Sequence, residues 1–161
     1  MLKHEFGHDS QTGPETLPRD TLGRPAAMLI GVPKEIKSHE YRVGLTPASV
    51  REFLILGHEV LVQAEAGLLI GMTDEEYGRA GALVVYGAEE IFARAELIIK
   101  VKEPQAHECA MLRAGQVLYT YLHLAPDRAQ AEALIRSNAI CIAYETITND
   151  AGGKHSLPLR S

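Results

Sequence analysis

The sequence predicts a doubly wound α/β domain built on a mostly parallel sheet of about six strands. From Met28 onward short apolar runs alternate with amphipathic segments, the pattern that βαβ units produce. One run, residues 97–101, carries β-branched Ile98, Ile99 and Val101, as expected of a central parallel strand buried on both faces. Helix-starting and helix-ending residues, among them Thr46 before Pro47 and Thr73 before Glu76, punctuate the gaps.

Residues 1–27 place Pro14, Pro18 and Pro25 among polar and glycine residues without a helical or strand period, and read as a disordered extension. Met28 would serve as the start of the compact domain. The first strand covers residues 28–32 and stops at Pro33, which has no N–H for a sheet ladder. After the loop KEIKSHEYRVGL, Thr46 and Pro47 read as N-cap and first helical residue of a helix ending at Gly57. A second strand spans 58–64, and EAGLLIG follows as a glycine-rich loop. Thr73 and Glu76 form a capping-box signature that opens a short helix to about Ala80.

The third strand covers 82–86, and a helix over AEEIFARA returns the chain to the fourth, 97–101, in which Lys100 is the one misfit. Pro104 closes that strand. A helix over about 105–113 ends by Gly115, the fifth strand spans 116–122, and a helix from Pro126 to Asn138 leads to the sixth strand, AICIAY. Residues 148–161, TNDAGGKHSLPLRS, read as a polar tail. Strand order is not legible at this level.

A chain of 161 residues, 46% apolar, is enough for one buried core. The net charge of −5 argues against a nucleic-acid surface, which needs concentrated Lys and Arg. No apolar run reaches the roughly 18 positions of a membrane helix, and the amino terminus lacks the apolar core of a signal peptide. Cys109 and Cys141 form no CxxC pair, so reduced thiols in a cytoplasmic protein are expected. HEFGH, residues 4–8, fits the HExxH zinc pattern but sits in a stretch with internal Gly7 and no helical face, so no metal site is expected. No strand is followed by GxGxxG, and AGGKHS lacks the spacing of a phosphate loop, so the chain carries no dinucleotide fingerprint.

Two strands run directly into polar residues. LIIKV leads to Lys102 and QVLYTYL leads to His123, while Arg42 follows the first strand. In parallel sheets ligands bind at the carboxyl ends of strands. Each residue has a plainer reading: Arg42 as a solvated loop residue or a partner for Glu40, Lys100 and Lys102 as lysines on one face that snorkel to solvent, His123 as a satisfied core histidine. Together they supply a carboxylate grip, a carbonyl polariser and an acid/base at one edge. Such a set suits a 2-oxo acid or an amino acid; spacing alone does not name the reaction.

The stretches MLIGVPKEIKSHEYRVGLTPASV, GHEVLVQAEAG, LIIKVKEPQAHECAML, GQVLYTYLHLAPD and CIAYETI closely resemble the amino-terminal substrate domain of alanine dehydrogenases, in the alanine dehydrogenase/pyridine nucleotide transhydrogenase family. The resemblance runs from residue 28 to about 147 and implies a Rossmann-like substrate domain. The activity it implies is NAD-dependent oxidative deamination of L-alanine to pyruvate and ammonium. His123 and Lys102 are then the catalytic residues, and Arg42, Lys102 and Tyr121 contact substrate. Transhydrogenase alpha chains share the pattern but typically lack the histidine, so His123 favours the dehydrogenase. Relative to the family the chain stops at Ser161, before an NAD-binding domain and a returning segment, and is expected to be truncated and inactive alone. The alternatives are a non-catalytic module that binds pyruvate or alanine or joins subunits, and a transhydrogenase alpha-type domain. A family-like homo-oligomer is possible on the same ground.

Overall fold

The structure, a computed structural model, describes residues 26–147. Apart from Ala26 and Ala27, the extension predicted over 1–27 with its HEFGH motif lies outside them, as does the tail at 148–161.

Six strands form one sheet: β1 Leu29–Val32, β2 Glu59–Gln63, β3 Leu83–Val85, β4 Leu97–Ile99, β5 Val117–Thr120 and β6 Ile140–Ala143. Their order is β3-β2-β1-β4-β5-β6, and every pairing is parallel. The helices between them are α1 Pro47–Ile55, α2 Asp74–Ala80, α3 Ala88–Arg94, α4 Ala106–Met111 and α5 Arg128–Ser137. This order reverses direction between β1 and β4. Loops leaving those two neighbours diverge to opposite sides and open a crevice at their carboxyl ends.

Alternation along the strands divides the core in two. Ile30, Val32, Val60, Val62 and Ile99 pack with Val50 of α1 and with Tyr77 and Ala80 of α2. Leu61, Ile98 and Leu118 face the other way, against Ile91 and Phe92 of α3, Cys109 of α4 and Leu134 of α5. At the centre of β1 a Cβ on Gly31 would lie 2.5 Å from Ile91 Cγ2, so glycine is what lets α3 settle on the sheet. The outermost strand leaves Ile140 and Ile142 exposed.

Local signals act as their chemistry requires. Thr46 Oγ1 accepts from the Ser49 amide at 3.2 Å, and Thr73 and Glu76 make both bonds of the capping box. Some boundaries differ from expectation. α4 ends at Met111 because the backbone turns extended at Leu112, so Gly115 lies in the following turn. α5 begins at Arg128 because Asp127, whose side chain accepts from the Gln130 amide, is the N-cap and Pro126 precedes it. The glycine-rich loop contains a single 3-10 turn, Leu68–Ile70. The ladder ends earlier in β4 and β5 than the apolar runs suggest, at Ile99 and Thr120. Beyond those points side chains take over most of the backbone's hydrogen bonds.

Candidate active site

Lys102 and His123 each stand three positions beyond a strand, on neighbouring strands (102 − 99 = 3; 123 − 120 = 3). Between them lies Tyr121. The Lys102 ammonium sits 5.2 Å from the centre of the Tyr121 ring, and the His123 ring centre is 5.4 Å from the same ring. A cation over an aromatic face is held by the ring's negative potential. Tyr121 therefore joins the two polar residues that the strands deliver. Tyr144, just past β6, continues the row, with ring centres 6.0 Å from Tyr121 and 5.7 Å from Tyr119.

Arg42 reaches the same edge from the loop after β1. That loop lies close on β4: a Cβ on Gly44 would come within 2.5 Å of the Ile99 carbonyl oxygen. Arg42 forms a two-pronged pair with Glu40, donating from Nε at 2.8 Å and from Nη2 at 2.6 Å, while its amide donates to Glu40 Oε1 at 2.9 Å. These bonds foremost, with a smaller contribution from the Lys102 charge, hold the Glu40 carboxyl down at about 2. The plainer reading of Arg42, as a partner for Glu40, is thus realised. Arg42 also lines a cleft of about 400 Å³, together with Val43, Tyr119 and Tyr144. Lys102, Tyr121 and His123 do not line that cleft; Tyr119 and Tyr144 are common to it and to the ring row.

Lys100 behaves differently from the expectation that it reaches solvent. Its side chain has no exposed surface, and its ammonium lies 3.0 Å from Glu35 Oε2 and 2.8 Å from Glu108 Oε1. An ammonium this deep has no route to water, so the cost of burying it is offset by two carboxylates. Burial foremost raises the Glu35 pKa above its usual 4.5, with the Lys100 charge opposing it.

The His123 loop is held from β6. Both the Leu122 and His123 amides donate to Glu145 Oε1, at 3.0 and 3.1 Å. His123 itself has φ +46°, a left-handed conformation uncommon for a residue with a Cβ. Its imidazole is exposed rather than packed in the core.

A family model described as "Alanine dehydrogenase/PNT, N-terminal domain" matches residues 31–161. The chain belongs to the alanine dehydrogenase/PNT family. It is 54% identical to an alanine dehydrogenase of Halomonas elongata over 132 residues, 82% of this chain and 35% of that protein. The alanine dehydrogenase of Methanococcus maripaludis is 52% identical over 74% of this chain and 32% of its own length. A solved L-alanine dehydrogenase superposes with a TM-score of 0.75 at 45% identity, covering 78% of this chain and 35% of that one. The transhydrogenase of Sinorhizobium meliloti gives 0.71 at 30% identity, over 75% and 36%. The chain thus spans about a third of the length of the relatives it matches, as the family's N-terminal domain.

Family membership raises the question of NAD, and the described residues do not fit it. Although the strand order is that of dinucleotide-binding sheets, the turn after β1 reads Val32-Pro33-Lys34-Glu35, without the glycines that let backbone amides approach a pyrophosphate. The Glu35 carboxyl occupies the ground beyond β1, bonded at 2.7 Å to the Val101 amide of the β4 loop. A carboxylate there disfavours a second anion.

Four contributors to this edge escaped the sequence reading: Glu35, Glu108, Tyr144 and Glu145. Glu35 and Lys100 are 65 positions apart, and Glu145 and His123 are 22 apart, so only the strand order brings each pair together. The buried position of Lys100 in an apolar run was the available clue that acidic partners were needed.

Proposed function

We propose that residues 28–147 form the substrate-recognition domain of an NAD-dependent alanine dehydrogenase, an oxidoreductase acting on a CH–NH2 donor. L-alanine, NAD+ and water go to pyruvate, ammonium, NADH and a proton. The observation that carries the reading is the Tyr121 ring shared by Lys102 and His123 at the carboxyl edge, in a chain of this family. NAD belongs, on this reading, to a part of the enzyme other than this sheet, and hydride exchange is its contribution.

The chemistry of this chain's residues follows from their charge. A 2-oxo acid presents a carboxylate and a carbonyl oxygen. Arg42 offers the guanidinium edge that Glu40 leaves open to the carboxylate, and the Lys102 ammonium stabilises negative charge that develops on the oxygen at C2. Tyr121 packs against the substrate's apolar side. When water adds to the imino carbon of the deamination intermediate, a neutral His123 takes its proton. The carbon–nitrogen bond then breaks as the carbonyl forms, and the electron pair and a proton leave with nitrogen as ammonia. Excluding water on the remaining sides is left to a surface that closes on this edge. A cytoplasmic location and a family-like homo-oligomer accompany this reading.

Calorimetric titration of the chain with pyruvate tests it. Saturable binding that weakens in Arg42→Ala and His123→Ala is expected; wild-type protein showing no binding into the millimolar range would refute it. A transhydrogenase-type or non-catalytic domain is the second reading, drawing support from the likeness to the Sinorhizobium meliloti protein. Pyruvate binding that is indifferent to His123 favours that alternative.

A further inference from the structure

Beyond Ile99 the chain leaves the sheet, yet its next three residues are pinned from several elements. The Lys100 amide donates to the Tyr119 carbonyl at 3.1 Å. The Val101 amide donates to Glu35 Oε1 at 2.7 Å, and the Val101 carbonyl accepts from the Tyr144 hydroxyl at 2.6 Å. The Lys102 carbonyl accepts from Thr120 Oγ1 at 2.7 Å. Three of these four bonds use a side chain where a longer strand would use its ladder. The contributing elements are the β1 loop, β5 and the turn after β6.

Glu35 is the centre of this arrangement. One oxygen holds the Val101 amide and the other holds the Lys100 ammonium, which in turn reaches Glu108. Glu108 Oε2 also accepts from the Gln105 amide at 2.8 Å and caps α4. A single buried cluster thereby connects the loop after β1, the exit of β4 and the start of the next helix. Stability alone does not call for it, because apolar replacements of buried ion clusters are often neutral or stabilising. What an apolar cluster lacks is direction: it cannot fix one backbone amide at one place.

We propose that the buried Glu35–Lys100–Glu108 cluster is a positioning device for Lys102. Glu35 is its principal residue, because it locks the Val101 peptide and so sets where the Lys102 side chain crosses Tyr121. The three side chains of the cluster are almost fully shielded from solvent. The cluster acts through the peptide preceding Lys102, and the consequence for pyruvate rests on the substrate-domain reading above. Displacing a binding group by about an ångström is enough to lose one to two orders of magnitude where its geometry counts.

The test uses the full chain with 13C-labelled lysine and follows the Lys102 ε-methylene resonance, assigned by its loss in Lys102→Arg. In wild type the Tyr121 ring should shift that resonance upfield of the solvent-exposed lysines. Glu35→Ala should return it toward the exposed position and weaken pyruvate binding about tenfold. Glu35→Gln keeps an acceptor for the Val101 amide and should preserve most of both. If Glu35→Ala does not fold, Glu35→Asp, whose carboxylate is withdrawn by one methylene, is judged by the same two readouts. A folded Glu35→Ala or Glu35→Asp protein with an unmoved Lys102 resonance would overturn the proposal; a merely structural role predicts that result, with only the melting point lowered. Wild-type protein whose Lys102 resonance ignores pyruvate counts against the substrate reading alone, and the Glu35 effect on the resonance still decides the positioning role.

Discussion

Lys100 and Lys102 are separated by one residue and live in opposite surroundings. Lys100 is sealed between two carboxylates behind the sheet's edge, while Lys102 is half-buried and leans on an aromatic ring at the edge itself. The same ammonium group serves architecture in the first place and, on the reading proposed above, meets an incoming anion in the second. The difference is one of surroundings: a cation whose bonding capacity is consumed by buried carboxylates has none to offer a ligand, and a cation held by a ring face has its donors to spare.

The contrast can be broken first at Lys100. Lys100→Met leaves Glu35 and Glu108 buried without a cation and should cost about 3–5 kcal/mol in denaturant unfolding. Combining it with Glu35→Gln and Glu108→Gln should recover part of that loss, since no charge then remains unpaired. A Lys100→Met protein as stable as wild type would remove the architectural half of the comparison. Next in size is Gly44→Ala, where the new Cβ meets the Ile99 carbonyl oxygen at 2.5 Å and the Arg42 loop must lift from β4. About 1–3 kcal/mol of destabilisation is expected from such overpacking, with weaker pyruvate binding. Thr120→Val, which removes the hydroxyl donated to the Lys102 carbonyl, should cost about 1 kcal/mol.

Acid sharpens the comparison further, because the carboxylates serving the two regions titrate in opposite senses. Glu40, held by Arg42 at about 2 against a usual 4.5, contributes stability that is present above pH 4.5 and lost as pH falls toward 2. The stability difference between wild type and Glu40→Gln should therefore narrow as pH falls across that window. Glu35 has a raised pKa, so its contribution is complete below pH 4.5 and declines as pH rises through its folded value. A Glu35→Gln protein that loses stability relative to wild type with increasing pH would contradict this. Urea midpoints measured from pH 2 to pH 8 decide both.

Much of the framework was legible in the sequence because it depends on neighbours along the chain. The alternation of apolar runs, the Thr46–Pro47 start and the Thr73–Glu76 box are local chemistry, and each appears where its residues stand. Placing Arg42, Lys102 and His123 beyond strands one, four and five needed only strand direction, and adjacency of β1, β4 and β5 then gathers them at one edge. The partners of Lys100 were not legible, because nothing near IIKVKEP in sequence indicates that Glu35 arrives from another loop. The early ends of β4 and β5 were hidden for a related reason. Val101 and Leu122 are buried and apolar like strand residues, but their amides bond to the Glu35 and Glu145 carboxylates instead of a ladder.

The smallest expected effect on stability, at Lys102, accompanies the largest expected effect on binding. The most direct measurement is a pyruvate titration of wild type and Lys102→Met, each with its urea midpoint recorded. Binding should disappear in Lys102→Met while stability changes by less than about 1 kcal/mol, as is usual for a half-exposed lysine. Unimpaired pyruvate binding by Lys102→Met would contradict the assignment of this edge as the substrate site.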